Sequence, residues 1–293
     1  MKPVLVTGGS GIAGQAVARH LRAAGHAVRL ADMVTPPPGG PDAFVRCDTR
    51  TFEDVDTAVA GCDAVVHLAA WHCAHVPPVS DATIFAVNVD GTQNVFEACR
   101  RHGVRTVAFA SSMAYGHGSV YSVTKVIGED LARCLHERTG IPVSLLRYHD
   151  FVPKPYLDFG MKLLRNGVDA EDVAAATVAA IAGGLAGRYG CFRTIVHTNH
   201  GMPEEVRARF KALGPDWCES VVPGSAELLE RFAIDLPDAV EQHDLAEARN
   251  VLGWRPRIDF AEFLRDLATR TAAGEDVARL WSPGSLTGVR ARG

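Results

Sequence analysis

The chain has 293 residues, 47% of them hydrophobic, and a formal charge of −4 at pH 7. That composition supplies a sizeable core and excludes disorder as the main state, leaving one large α/β domain or a domain with a smaller lobe. With no Lys/Arg run, and no stretch approaching the roughly 20 apolar residues of a membrane span, neither a nucleic-acid partner nor a membrane is expected.

Seven cysteines are scattered without a CxxC pair, which predicts no disulfide framework and a reducing, cytoplasmic setting. The apolar run in Met1-Lys2-Pro3-Val4-Leu5-Val6-Thr7 is too short for a signal peptide. In chain order, strands are predicted at 4–7, 27–31, 44–46, 64–68, 106–110 and 143–147, each short and apolar as in a buried parallel sheet. Helical patterns fall between them at about 12–24, 83–102 and 119–139. In the last, Val120, Val123, Ile127, Leu131 and Leu135 recur near one helical face. This alternation predicts an α/β fold, a Rossmann-type doubly wound parallel sheet over 1–150. After Pro153 and Pro155 come a helical segment near 172–181 and a strand at 192–196, so 167–197 is expected to return to the sheet. Residues 198–293 are expected to form a small, mainly helical C-terminal lobe serving the substrate, with helical stretches at 244–252 and 260–267 and a loose tail after Ala273.

Thr7-Gly8-Gly9-Ser10-Gly11-Ile12-Ala13-Gly14 places glycines directly after a strand and at the opening of a helix. Gly8 permits the tight turn, Gly11 lets the backbone approach a pyrophosphate, and Gly14 lets helix and strand pack closely. Asp32 ends the second strand, where a carboxylate accepts from a ribose diol and repels a 2′-phosphate, so NAD is expected over NADP. Asp48, after the third strand, either contacts the adenine amine or caps a helix.

Tyr121-Ser122-Val123-Thr124-Lys125 puts a phenol and an ammonium one helical turn apart. A phenol with a pKa of about 10 is a poor base at neutral pH. A nearby ammonium and a nicotinamide cation both favour the phenolate, which can then exchange a proton with a substrate hydroxyl. The preceding strand ends Phe109-Ala110-Ser111-Ser112, and a serine there would orient the substrate oxygen. Counting forward from the strand selects Ser112; counting back from Tyr115-Gly116 selects Ser111.

Together with His67-Leu68-Ala69-Ala70, Asn88-Val89-Asp90-Gly91-Thr92 and Leu146-Arg147, these motifs resemble the extended short-chain dehydrogenases/reductases, the NAD-dependent epimerase/dehydratase family. The resemblance runs over about 3–150, with weaker echoes at 167–173 and 252–256. It implies that the turn from Gly8 to Gly14, including Ile12, and Leu68, Ala69 and Ala70 line the cofactor. It also implies that Asn88 supports the active site, that Lys125 additionally binds the nicotinamide ribose, and that a serine pairs with Tyr121. A homodimer through the 83–102 and 119–139 helices, with Phe96, Val126 and Leu131, is implied as well.

Two departures bear on the substrate. Ser112 and Tyr121 are nearly adjacent where the family carries a longer loop, and the segment after Arg147 is cut to Tyr148-His149-Asp150-Phe151-Val152-Pro153. The expected activity is oxidoreduction or epimerisation at a secondary hydroxyl or keto group of a sugar or nucleotide sugar. The alternatives are dehydrogenation of a smaller free sugar, sugar acid or polyol, and a non-catalytic dinucleotide sensor. Met113-Ala114 after Ser112 lacks the acid pair that dehydration needs. Trp71, His72, His75 and His149 are candidate substrate contacts. His72, Cys73, His75 and His117 match no standard zinc spacing, so no metal is expected.

Overall fold

The strands carry apolar side chains toward both faces, as a sheet covered on both sides requires. A computed structural model describes residues 2–37, 43–72 and 77–282. Its first stretch runs β1 (Val4–Thr7), α1 (Ile12–Ala23), β2 (Val28–Asp32), β3 (Ala43–Arg46), α2 (Phe52–Val59) and β4 (Ala64–His67). Next come α3 (Asp81–Phe85), a π-helical turn (Ala86–Asp90), α4 (Gly91–His102), β5 (Thr106–Ser112), α5 (Val120–Thr139) and β6 (Val143–Tyr148). The remainder is β7 (Lys154–Pro155), α6 (Tyr156–Leu163), α7 (Ala170–Leu185), β8 (Cys191–Val196), α8 (Glu204–Ala208), α9 (Phe210–Val221) and α10 (Ser225–Arg231). It closes with α11 (Ala246–Leu252), α12 (Phe260–Ala272), a 3₁₀ turn (Val277–Arg279) and β9 (Trp281–Ser282).

Seven strands form one parallel sheet in the order β3-β2-β1-β4-β5-β6-β8. The chain leaves β1 in one direction for β2 and β3, then returns to build outward from β4 on the other side. A crevice therefore opens at the carboxyl ends of β1 and β4, where the helices on either side diverge. The core of this sheet packs Leu5, Val65, Val107, Phe109 and Leu145 with Val55, Val59, Val95 and Phe96 of the covering helices.

The chain divides into two units. The first comprises Met1–Tyr148, Val173–Ile195 and Ala246–Trp254; the second comprises His149–Asp172, Val196–Leu245 and Arg255–Gly293. Thus the segment expected as a lobe at 198–293 is interrupted by α11, which stays with the first unit, where Leu252 lies 3.7 Å from the Cβ position of Gly183. The second unit has its own core of Tyr156, Phe159, Leu163, Phe210, Phe260, Phe263, Leu264 and Leu267. A short antiparallel pair, β7 with β9, lies in it too.

The continuous helix expected over 83–102 is interrupted near its start by the π-helical turn. A wide turn inserts one residue into the helical ladder and re-aims a side chain, a device common at functional sites. Here that side chain is Asn88. No helix among the described residues is long and apolar enough to cross a membrane.

Candidate functional site

The glycine turn is built by close approach. Gly8 has φ of +67°, and a Cβ on it would lie 2.8 Å from Ala69 N, so β1 and β4 meet there with no room for a side chain. A Cβ on Gly14 would lie 2.3 Å from Gly8 O, which presses α1 against the turn. At Gly11, by contrast, the same atom would meet only Gly8 O, at 3.3 Å. Gly11 is also the N-cap of α1 and has no side chain to occupy the first-turn N–H groups. Space beside an uncapped, electropositive helix start suits a pyrophosphate. Asp32 completes this seat: Oδ2 accepts from Ser10 N at 3.0 Å and Oδ1 from Val34 N at 3.0 Å, which fixes the carboxylate beside the turn. Each oxygen keeps a second lone pair for a diol.

Behind the turn runs a chain of hydrogen bonds that sequence reasoning missed. Thr92 Oγ1 donates to Asn88 O at 2.6 Å, so it accepts from His67 Nε2 at 3.0 Å. His67 Nδ1 then accepts from Thr7 Oγ1 at 2.7 Å, and Thr7 Oγ1 accepts from Ala69 N at 3.3 Å. Burial first, and the Lys125 charge second, push the His67 pKa down to about 3, so the ring is neutral and its tautomer is set by these partners. The network holds the Leu68-Ala69-Ala70 backbone in place at the end of β4.

Tyr121 and Lys125 lie on the first turns of α5 and are both buried. Ser119 starts that helix, its Oγ accepting from Ser122 N at 3.2 Å. Lys125 Nζ donates to Ala110 O at 2.8 Å and sits 5.6 Å from the Tyr121 ring centre. Burial lowers its pKa to about 8. The His72 ring meets the Tyr121 ring edge-on at 4.3 Å, which puts one candidate rim residue beside the phenol. Asn88 joins the two sides: its Nδ2 donates to Trp71 O and to Thr124 Oγ1, each at 3.0 Å, and its Oδ1 accepts from Trp71 N at 2.8 Å. Thr124 Oγ1 in turn donates to Tyr121 O at 2.8 Å. The π-helical turn therefore ties the start of the Trp71 loop to the turn bearing Tyr121. His75 and Cys73 lie outside the described residues, and His117 is exposed on the 113–119 connection.

The two serines part company. Ser111 Oγ donates to Glu129 Oε1 at 2.6 Å, and Glu129 also takes a two-pronged contact from Arg147, at 2.7 and 2.9 Å. Burial works against the Glu129 carboxylate, but the bonds from Arg147 and Ser111 outweigh it and hold its pKa below the ordinary value. Arg147 stacks over Tyr115, 4.5 Å from the ring centre, and so pins the short connection between β5 and α5. Ser112 points to the opposite side of the strand, where its Oγ accepts from Ala114 N at 3.0 Å, a bond that does not consume its hydrogen. Glu129→Gln is expected to destabilise the fold by about 3 kcal/mol, because the partly buried Arg147 loses its counter-charge. Urea titration checks this, and an unchanged midpoint would overturn the network's structural weight.

Three of the expected residues have partners that the sequence did not suggest. Asp48 is neither a helix cap nor an open acceptor: Arg50 grips its carboxylate through Nε at 2.9 Å and Nη2 at 2.5 Å, and that contact foremost lowers its pKa. Helix α2 is instead capped at Thr51, with no side-chain bond. His149 belongs to the second unit, where its ring stands 4.2 Å from His197 and 4.7 Å from His243. Burial pushes its pKa down to about 4. Phe96, expected at a subunit interface, is 2% exposed and part of the core, whereas Val126 is exposed on α5.

The family model for the NAD dependent epimerase/dehydratase family matches residues 4–154. The uronate dehydrogenase of Pseudomonas putida is 29% identical over 170 residues, covering 52% of this chain and 62% of its own length. That of Agrobacterium fabrum is 33% identical over 172 residues, covering 53% and 63%. The alignments thus span about three fifths of these curated relatives. Among solved structures, a short-chain dehydrogenase/reductase superfamily protein from Agrobacterium tumefaciens with bound NAD superposes with a TM-score of 0.68. It is 21% identical and covers 92% of this chain and 97% of its own, a likeness of fold. Because the family model covers more than half of the chain, and includes the glycine turn, Asp32, and the Tyr121 and Lys125 pair, this protein belongs to the NAD dependent epimerase/dehydratase family and takes NAD as its cofactor.

Proposed function

We propose that the protein is an NAD-dependent dehydrogenase that oxidises a carbinol of a free sugar acid, with Tyr121, Lys125 and Ser112 around the reacting oxygen. The observation that carries this reading is the burial of Tyr121 and Lys125 on one helical turn, with the ammonium 5.6 Å from the phenol ring and anchored on Ala110 O. The substrate class rests on the uronate dehydrogenase relatives and on the short 113–119 connection, which leaves little chain to enclose a nucleotide.

When bound, NAD supplies the acceptor for the hydride that leaves the carbinol carbon as its C–H bond breaks. The protein handles the proton. Ser112 donates its hydrogen to the substrate oxygen and orients it, and Tyr121, as phenolate, takes the hydroxyl proton while the C=O bond forms. At pH 7, below its pKa of about 8, Lys125 is mainly an ammonium and favours the phenolate beside it. Asn88 is a positioning residue, acting through Thr124 and the Trp71 backbone. His72, against the phenol, is assigned to the substrate rim.

The test is absorbance at the NADH band with a panel of free uronates, neutral sugars and nucleotide sugars. NADH accumulation confined to the uronates is the expected result. Interconversion of a nucleotide sugar without NADH release would overturn it in favour of an epimerase, and no turnover with any substrate would favour a dinucleotide sensor. Coenzyme choice is checked separately. Asp32→Ser is expected to lower kcat/KM for NAD about 10- to 100-fold, the loss of charged hydrogen bonds of about 1.5–3 kcal/mol, and to narrow the preference over NADP. An unaltered NAD to NADP ratio would remove Asp32 from the ribose site.

A further inference from the structure

Three histidines from separate stretches of the second unit meet in one cluster. His149 follows β6, His197 follows β8, and His243 lies in the segment ahead of α11; their ring centres are 4.2, 4.7 and 5.1 Å apart. The backbone decides which nitrogens carry hydrogen. His149 Nδ1 lies 3.3 Å from Asn166 O, and His197 Nε2 lies 3.2 Å from Arg165 O. A carbonyl oxygen can only accept, so those nitrogens are the N–H donors and the opposite ones carry bare lone pairs. Both of these, His149 Nε2 and His197 Nδ1, are buried without a hydrogen-bond partner. His149 is 6% exposed and His197 0%.

The neighbouring His200 shows what a purely structural histidine looks like in this unit. Its Nε2 donates to Leu163 O at 2.9 Å, and its Nδ1 accepts from Phe260 N at 3.2 Å, so nothing is left over. At the cluster, by contrast, two buried acceptors lack donors, an arrangement that a buried polar group normally avoids. Glu241 reaches the same place: Oε1 is 3.0 Å from His243 Nε2, close enough for an ion pair, yet that nitrogen makes no hydrogen bond. One ligand atom each from His149, Glu241 and His243 lies within 4.8 Å of the others. The Glu241 side chain is 45% exposed, which gives the site an open side for entry.

We propose that His149 Nε2, His243 Nε2 and the Glu241 carboxylate bind a divalent transition-metal ion, with Zn²⁺ the best match. Two imidazoles and one carboxylate favour zinc over the all-oxygen surroundings that Mg²⁺ and Ca²⁺ prefer, and they leave a fourth position for water. A metal-bound water would supply the hydrogen that His197 Nδ1 lacks. The Asn166 carbonyl, holding the far nitrogen of His149, is the kind of partner that orients metal-ligating imidazoles. The spacing of His149, Glu241 and His243 matches no short zinc motif, and the proposal does not rest on the roles assigned to Tyr121 and Lys125.

The test uses the full chain, stripped of metal, titrated with Co²⁺ and then Zn²⁺. The expected result is one equivalent of Co²⁺ giving the intense visible bands of a four-coordinate ion, displaced by Zn²⁺. Affinity should fall at least about tenfold in Glu241→Gln and in His243→Ala. Far-UV circular dichroism and NAD binding report whether each variant has folded, and the exposed His117→Ala should bind as the parent does. Weak, pale six-coordinate cobalt would overturn the site, as would affinity unmoved by both ligand variants or lowered equally by His117→Ala.

Discussion

Tyr121→Phe is expected to lower kcat by about 10²- to 10⁴-fold, the usual worth of a positioned acid–base group. The variant loses one hydroxyl and little else. The ring is 8% exposed and rests against His72, and phenylalanine keeps that packing. NAD affinity is therefore expected to stay within about twofold, since the glycine turn and Asp32 are untouched. Steady-state rates with a uronate that turns over, together with titration of NAD by fluorescence, separate the two effects. A kcat within threefold of the parent would remove Tyr121 from the chemistry, and a parallel loss of NAD binding would make it a cofactor ligand only.

Lys125→Met should cut kcat at least about a hundredfold and, without NAD, make the fold more stable at neutral pH. Burial lowers the Lys125 pKa to about 8 from an ordinary 10.5. At pH 7 the folded and unfolded chains both carry the ammonium, so the folded state bears the whole desolvation cost, about 3 kcal/mol at 1.36 kcal/mol per pKa unit. Between pH 8 and 10.5 the folded chain has released the proton while the unfolded chain retains it, and parental stability rises relative to the variant. Above pH 10.5 both are neutral and the difference disappears. Methionine keeps the length and apolar stem of lysine, so packing changes little. The loss of Ala110 O as a partner works in the opposite direction, by about 1 kcal/mol. Urea titrations at pH 7 and 10 check this, and a variant less stable than the parent at pH 7 would show the ammonium to be structurally required. A gain in stability with a loss of activity is the expected mark of a charge buried for function.

Local features of the chain were legible in advance. The glycine turn reads directly because a strand, a tight turn and a helix start lie within one short stretch, and the Tyr121 and Lys125 pair because residues four apart share a helical face. The sheet strands were legible from their apolar runs, with boundaries shifting by one or two residues. Helix α2 escaped notice because it is only eight residues long. Helix α6 lies directly behind two prolines, which read as a break although Pro155 serves as its N-cap. Asn88 was legible as a supporting residue, but not the π-helical turn that aims it.

What the sequence by itself determined is the fold class, the glycine turn and the one-turn spacing of phenol and ammonium, because each is written as a pattern among residues close in the chain. Tertiary structure alone gave the two serines different surroundings, since neighbours on a strand face opposite ways and only the packing of α5 brings Glu129 to Ser111. It alone withdrew Asp48 into a pair with Arg50 and joined His67 to Thr7 across 60 residues. It also gathered His149, Glu241 and His243 around two unpartnered lone pairs. The physical reason is common to these cases: a buried polar group must find its partner in space, and the chain's order does not say which distant segment will arrive beside it.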